Sequence, residues 1–172
     1  MITRTIMIFP EFENIGSIDK IRSKYDPLAD LVRPHITLVF PFESGMTDDE
    51  VREILEKRLE DTIQFDLTLQ GFSKQIDEKF GNLLFLNVTK GNDEIVKIHD
   101  ILYANEFMRF NLGYPYIPHI TVGKTKTVDE LNAAYEDASS CNEVFSTTVT
   151  KISVEMIGEH EESIIIIEKE LK

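Results

Sequence analysis

Pro34-His35-Ile36-Thr37-Leu38 returns 84 residues later as Pro118-His119-Ile120-Thr121-Val122, with a single aliphatic exchange at its end. Each copy precedes a helix-opening signature, Thr47-Asp48-Asp49-Glu50 after the first and Thr127-Val128-Asp129-Glu130 after the second. In such a capping box the Thr hydroxyl and the Glu carboxylate satisfy N–H groups left open at the start of a helix. One box is a weak signal. Two boxes, each behind a Pro-His-Ile-Thr strand, point to a duplicated βαβαβ unit.

The chain on either side fits that unit. Thr5 to Phe9, His35 to Phe42, Phe65 to Leu69, Leu83 to Val88 and His119 to Gly123 read as strands, from alternation or short apolar runs. Ile152, Val154 and Met156 alternate as another, and the unbroken run Ile164 to Ile167 suits a buried final strand. Helical stripes cover Ile18 to Leu31 (broken around Asp26-Pro27), Val51 to Leu59 and Val128 to Ala138. A further helix carries Ile95, Ile98 and Leu102, with Asn92 as its cap. The expected fold is α+β and bilobal: duplicated βαβαβ units with two antiparallel-rich sheets facing a central cleft. It forms one two-lobed domain over residues 1–172, with lobes of roughly 1–79 and 80–172 and room for strand exchange between them.

Composition narrows the function. At 172 residues and 42% apolar the chain can build one ordinary core. The single cysteine, Cys141, excludes an internal disulfide framework and fits a reducing compartment. The opening Met-Ile-Thr-Arg-Thr-Ile-Met-Ile-Phe-Pro is too short an apolar run for a signal peptide, and no stretch reaches the ~20 apolar residues of a membrane span. The expected location is cytoplasmic. Eighteen Lys plus Arg against 31 Asp plus Glu give a net charge of −13, with the basic residues scattered singly. Duplex DNA and anionic membranes need a basic face and are excluded as partners. A small anion, or the end of an RNA, needs only a few donors.

Side chains at i and i+2 of a strand share a face, about 6.6 Å apart. His35 and Thr37 therefore point one way, while Ile36, Leu38 and Phe40 point into apolar packing; His119 and Thr121 are likewise backed by Ile120 and Val122. If the lobes face one another, two imidazoles and two hydroxyls surround one point. Paired histidines suit acid–base chemistry near neutral pH, one taking a proton from a nucleophile and the other protonating the leaving oxygen. The Thr hydroxyls would donate where charge gathers. A phosphodiester fits this layout, and nothing in it calls for a metal or other cofactor. A lone His-x-Thr would be an ordinary strand triplet, with Thr favoured by its β propensity. The repeat in matching context is what lifts it above that.

With these motifs in hand, the sequence resembles the two-histidine (2H) phosphoesterase superfamily, the 2′-5′ RNA ligase-like proteins and cyclic phosphodiesterases. The paired His-x-Thr motifs with following Leu38 and Val122 carry the resemblance, together with a duplicated order spanning nearly the whole chain. It implies a bilobal α/β fold and metal-independent hydrolysis of the 2′,3′-cyclic phosphate of a nucleotide or RNA end, usually to a 2′-phosphate. It further implies that His35 and His119 are the acid–base pair and that Thr37 and Thr121 bind phosphate. The reverse reaction, 2′-5′ ligation, uses the same groups. Lys124 stands where many relatives carry Arg or Lys, and the strongly acidic balance departs from relatives with basic clefts.

Other residues carry weaker signals. Lys124 falls on the opposite strand parity to His119 and Thr121, so simple alternation turns it away from the cleft. Phe42 and Tyr116 flank the motifs and are candidates for stacking on a base, against an ordinary packing role. His99-Asp100 sits mid-helix without further ligands at metal-binding spacing. His160 lies in an exposed turn, and Cys141 has no basic neighbour to activate it. A non-catalytic nucleotide- or RNA-end-binding module using the same cleft is the alternative function, and an interaction protein with a vestigial cleft fits least. Intact histidines and threonines in both copies favour catalysis.

Overall fold

A computed structural model describes all 172 residues. The elements run β1 (Ile2–Ile8), α1 (Ile15–Tyr25), β2 (Ile36–Ser44), α2 (Asp48–Arg58), β3 (Phe65–Asp77), β4 (Gly81–Lys90) and α3 (Asn92–Tyr103). After a 3₁₀ turn at Met108–Phe110 come β5 (His119–Thr125), α4 (Val128–Ser139), β6 (Phe145–Val149), β7 (Lys151–Ile157) and β8 (Ser163–Glu170). They build two antiparallel four-stranded sheets, ordered β2-β1-β7-β8 and β5-β4-β3-β6.

The sheets do not divide the chain at residue 79. β3 and β4 lie on either side of that point, yet they pair as one hairpin. The first sheet takes strands from both ends of the chain, and the second takes the middle. The helices cross as well. α1 joins two strands of the first sheet but packs on β5 of the second; α3 joins two strands of the second but packs on β2. α4 covers the back of the second sheet and α2 lies on β8. The apolar backs of both sheets thus share one continuous cluster of 34 buried residues, so neither half has a core of its own.

Both capping boxes form. Thr47 and Thr127 accept from the backbone N–H of Glu50 and Glu130, and each Glu carboxylate accepts in return from its Thr N–H. α1 ends at Tyr25, because Asp26 is extended ahead of Pro27. The cap of α3 is Gly91, not Asn92, which is the first helical residue. Gly91 has φ +91°, and a Cβ there would sit 2.7 Å from the Asp66 carbonyl oxygen, so only glycine fits. The run Ile164 to Ile167 is less buried than its composition promises: β8 borders its sheet, Ile164 is 37% exposed and only Ile167 is fully buried. β6 escapes a reading by pattern because Ser146, Thr147 and Thr148 dilute its apolar signal, while Phe145 and Val149 alone anchor it in the core.

Every helix is amphipathic, and none is long and apolar enough to cross a membrane. For the site, the decisive feature is placement. β2 and β5 are the border strands of their two sheets and lie against each other, which brings the two repeated motifs to one junction.

Candidate active site

The two motifs share a backbone irregularity as well as a sequence. Met7 pairs with Thr37 but Ile6 pairs with Val39, leaving Leu38 as an extra residue. Phe85 pairs with Thr121 but Leu84 pairs with Gly123, leaving Val122 as its counterpart. Each is a β-bulge, which places two residues opposite one. Leu38 and Val39 are both wholly buried, as is Val122.

The bulge resets which face the following residues occupy. Paired residues on neighbouring strands share a sheet face. Lys124 pairs with Leu83, which alternates with Phe85 and Asn87, the partners of Thr121 and His119. Lys124 therefore lies on the face of His119 and Thr121, contrary to simple alternation. Phe40 is displaced in the same way. It stands apart from the core, while Ile36 and Leu38 belong to it.

The imidazoles are held alike. His35 Nδ1 lies 2.8 Å from the Arg33 carbonyl oxygen, and His119 Nδ1 lies 2.7 Å from that of Ile117. A carbonyl only accepts, so Nδ1 is the protonated nitrogen and Nε2 keeps the free lone pair. The Phe85 ring stacks on His119 at 3.5 Å between centroids, and Phe9 lies 6.0 Å from His35. Desolvation lowers the pKa of both rings, that of His119 to about 4, and a charge on His35 would depress His119 further. The lowered pKa values favour the neutral form of both rings at neutral pH.

Arg22, 1% exposed, fastens the segment that leads into His35. It donates to Asp26 Oδ2 at 2.8 Å and to the carbonyls of Val32 at 2.8 Å and Leu28 at 3.3 Å. On the other motif's side, two tyrosines brace the open border of β2. Tyr116 Oη donates to the Thr37 carbonyl at 2.8 Å, and Tyr103 Oη accepts from the Phe40 N–H at 3.0 Å. His99 stacks between them, parallel to Tyr116 at 3.8 Å and edge-on to Tyr103 at 4.8 Å. Backbone groups that a border strand normally leaves to water are thereby fixed. Tyr103 carries no sequence signal for this; only the fold shows it.

Of the flanking aromatics, Phe42 is 3% exposed and packs against Phe107 and Phe110 in the core, so it has no face for a ligand. Tyr116 is committed to the brace through both its hydroxyl and its ring. His99 bonds Asp100 through Nδ1 at 2.9 Å. No group of three or more His, Cys, Asp or Glu side chains is placed to hold a metal ion. In the first sheet, the buried carboxyl of Glu155 accepts from Ser163 Oγ, and burial raises its pKa. Eight of the Lys and Arg side chains are tied to carboxylates, but Arg33 and Lys124 beside the motifs are not. Such free cations can meet an anion without first breaking an ion pair.

The 2′-5′ RNA ligase superfamily model matches residues 10–160. A provisionally named phosphoesterase of Geobacillus kaustophilus is 30% identical over 142 residues, covering 78% of this chain and 74% of the relative. Another, from Bacillus pumilus, is 29% identical over 128 residues, covering 73% and 71%. The fold matches that of Escherichia coli LigT complexed with 3′-AMP, with a TM-score of 0.68, 15% identity and coverage of 99% and 98%. It also matches a protein of Thermus thermophilus, with a TM-score of 0.68, 14% identity and coverage of 98% and 97%.

Proposed function

The chain belongs to the 2′-5′ RNA ligase superfamily, and we propose that it hydrolyses the 2′,3′-cyclic phosphate of a nucleotide or RNA end, with His35 and His119 as acid and base. The observation that carries this reading is the matched state of the two rings. Each has its Nδ1 proton committed to a carbonyl two residues back, so each offers Nε2 for proton transfer.

Water attacks phosphorus while one neutral Nε2 takes its proton. The bond from phosphorus to the ribose 3′ oxygen breaks as the other ring, protonated, gives its proton to that oxygen. The products are a 2′-phosphate and a free 3′-hydroxyl, and the two rings have exchanged protonation states; proton exchange with solvent resets them. Burial favours the neutral form of both rings in the free protein, and an anionic phosphate held between them raises the proton affinity of one. Substrate binding thereby supplies the acid. The Thr37 and Thr121 hydroxyls donate to the non-bridging oxygens, and Lys124 balances their charge. A nucleotide as ligand is supported by the E. coli protein's complex with 3′-AMP.

The test is a panel of 2′,3′-cyclic mononucleotides and short cyclic-ended RNAs, followed by ³¹P NMR with and without EDTA. Turnover to 2′-phosphates that survives EDTA is the expected result. A strict requirement for added Mn²⁺ or Mg²⁺ removes the two-histidine mechanism. Saturable binding without turnover would make the chain a nucleotide-binding module instead.

A further inference from the structure

Three attachments converge on the last turn of α1, and between them they reach both motifs. The first is a seat on the second sheet. Gly123 follows the extra residue of the β5 bulge, and a Cβ built on it would stand 3.0 Å from Tyr25 Cβ and 3.3 Å from Leu84 Cβ. That is closer than ordinary contact, so the missing side chain lets the helix rest directly on the strand. The second attachment runs to α4, on the back of the same sheet. Asp137 Oδ2 accepts from Tyr25 Oη at 2.6 Å and from Lys24 Nζ at 2.8 Å.

The third attachment runs to the first motif. All three guanidinium nitrogens of Arg22 donate to the segment between α1 and β2, one each to Asp26, Leu28 and Val32. Asp26 Oδ1 in turn accepts from the Leu28 N–H at 2.9 Å, and the Leu31 carbonyl accepts from the Ser163 N–H of β8 at 3.0 Å. The segment is thus held on both sides. The carbonyl gripped by Arg22 at Val32 is followed along the chain by that of Arg33, which is the acceptor for His35 Nδ1. A planar fork fixes the orientation of the peptides it binds, which a single ammonium does not. β2 and β5 belong to different sheets, so no ladder of backbone hydrogen bonds sets the distance between them. A misplacement of about 1 Å between reacting groups is enough to cost ~10²-fold in rate.

We infer that the last turn of α1 sets the spacing of the two imidazoles, with Arg22 as the positioning residue of His35 and Gly123 as the seat that fixes the same helix against the strand of His119. Arg22 acts through Val32 and Arg33 and touches no substrate. Its effect on rate rests on the phosphodiesterase reading above; its effect on the His35 ring does not.

The experiment compares the wild type with Arg22→Lys, which keeps the charge and loses the fork, and with Gly123→Ala. Long-range ¹H–¹⁵N NMR reports which nitrogen of each imidazole holds the proton, and steady-state kinetics on adenosine 2′,3′-cyclic phosphate report kcat and KM. In the wild type both rings should carry the proton on Nδ1. In Arg22→Lys the His35 proton should move toward Nε2 while His119 keeps its own on Nδ1, because the nitrogen protonated is set by the hydrogen bond offered to it. There kcat should fall about tenfold or more with KM little changed. Gly123→Ala leaves the contacts of Arg22 in place, so both tautomers should stay while kcat falls about tenfold. A merely structural role would lower Tm and move neither the tautomer nor kcat. An Arg22→Lys protein whose His35 proton and kcat are those of the wild type overturns the role of Arg22, and a wild-type kcat in Gly123→Ala overturns the spacing role. Should Arg22→Lys fail to fold, Gly123→Ala decides. If the wild type turns over no cyclic phosphate, the phosphodiesterase reading fails by itself, and the tautomer comparison, which needs no substrate, decides the role of Arg22.

Discussion

A histidine whose Nδ1 is engaged and whose ring is desolvated holds its second proton weakly, and both site histidines are in that state. Two consequences follow for pH. The proposed mechanism uses one protonated and one neutral ring, so kcat/KM, which reports the free enzyme, should be bell-shaped with its maximum below the ordinary histidine value of 6.5. The kcat profile should lie to the alkaline side, because bound phosphate raises one of the pKa values. A kcat/KM maximum above pH 7.5 would sink the assignment. The same shift acts on stability. The folded chain binds these protons more weakly than the unfolded chain, so the contribution is whole above pH 6.5 and drains away as pH falls toward about 4. Thermal unfolding at pH 7.5 and pH 4.5 should show a larger acid loss for the wild type than for His119→Ala. For activity, His35→Ala and His119→Ala should each cost at least ~10²-fold in kcat, and the double variant much less than their product, because the pair works as a unit. Thr37→Ala and Thr121→Ala should be milder, about 10-fold to 10²-fold.

At the scale of the element, the two motifs are border strands interrupted by a bulge, a combination that leaves backbone groups free and geometry loose. The first copy answers this with tyrosines: Tyr116 holds the Thr37 carbonyl and Tyr103 the Phe40 N–H, one on either side of Leu38. Tyr116→Phe keeps the stack on His99 and removes only the hydroxyl. It should cost about 1 kcal/mol of stability, the usual worth of one hydrogen bond. It should also lower kcat several-fold with KM little changed, because Thr37 and His35 lose their fixed aim. Urea unfolding and steady-state kinetics on the same preparation check both. A change in KM alone would mean that Tyr116 contacts substrate rather than positioning the strand.

For the whole molecule, exchange of strands and helices between the halves makes the core indivisible. Residues 1–79 hold β1 and β2 without their sheet partners β7 and β8, and they hold β3 without β4 and β6. Neither 1–79 nor 80–172 should fold or hydrolyse a cyclic phosphate alone, as circular dichroism and the turnover assay would show. An active isolated half would mean that one motif suffices. Unpaired cations beside the motifs would let an acidic chain hold an anion at the proposed site. Arg33, which precedes the first motif by one residue, and Lys124, on the face of His119 and Thr121, are among the cations without a carboxylate partner.

The sequence by itself determined what is written locally. Both capping boxes, the strands of the two Pro-His-Ile-Thr copies and the common face of each His-x-Thr pair follow from periodicity and from hydrogen-bond chemistry within a few residues. Four candidate side chains at the site were legible for that reason. The pairing of β3 with β4 across Phe80-Gly81-Asn82 was legible too, but only the tertiary structure decided which sheet each strand joins and that β8 forms a border. It also decided the faces beyond each bulge. An extra residue is defined only against the strand it pairs with, so alternation misplaces Lys124 and Phe40. Local rules carry a residue's neighbours along the chain; the faces of Phe40 and Lys124 depend on β1 and β4, which approach them only when the sheets assemble.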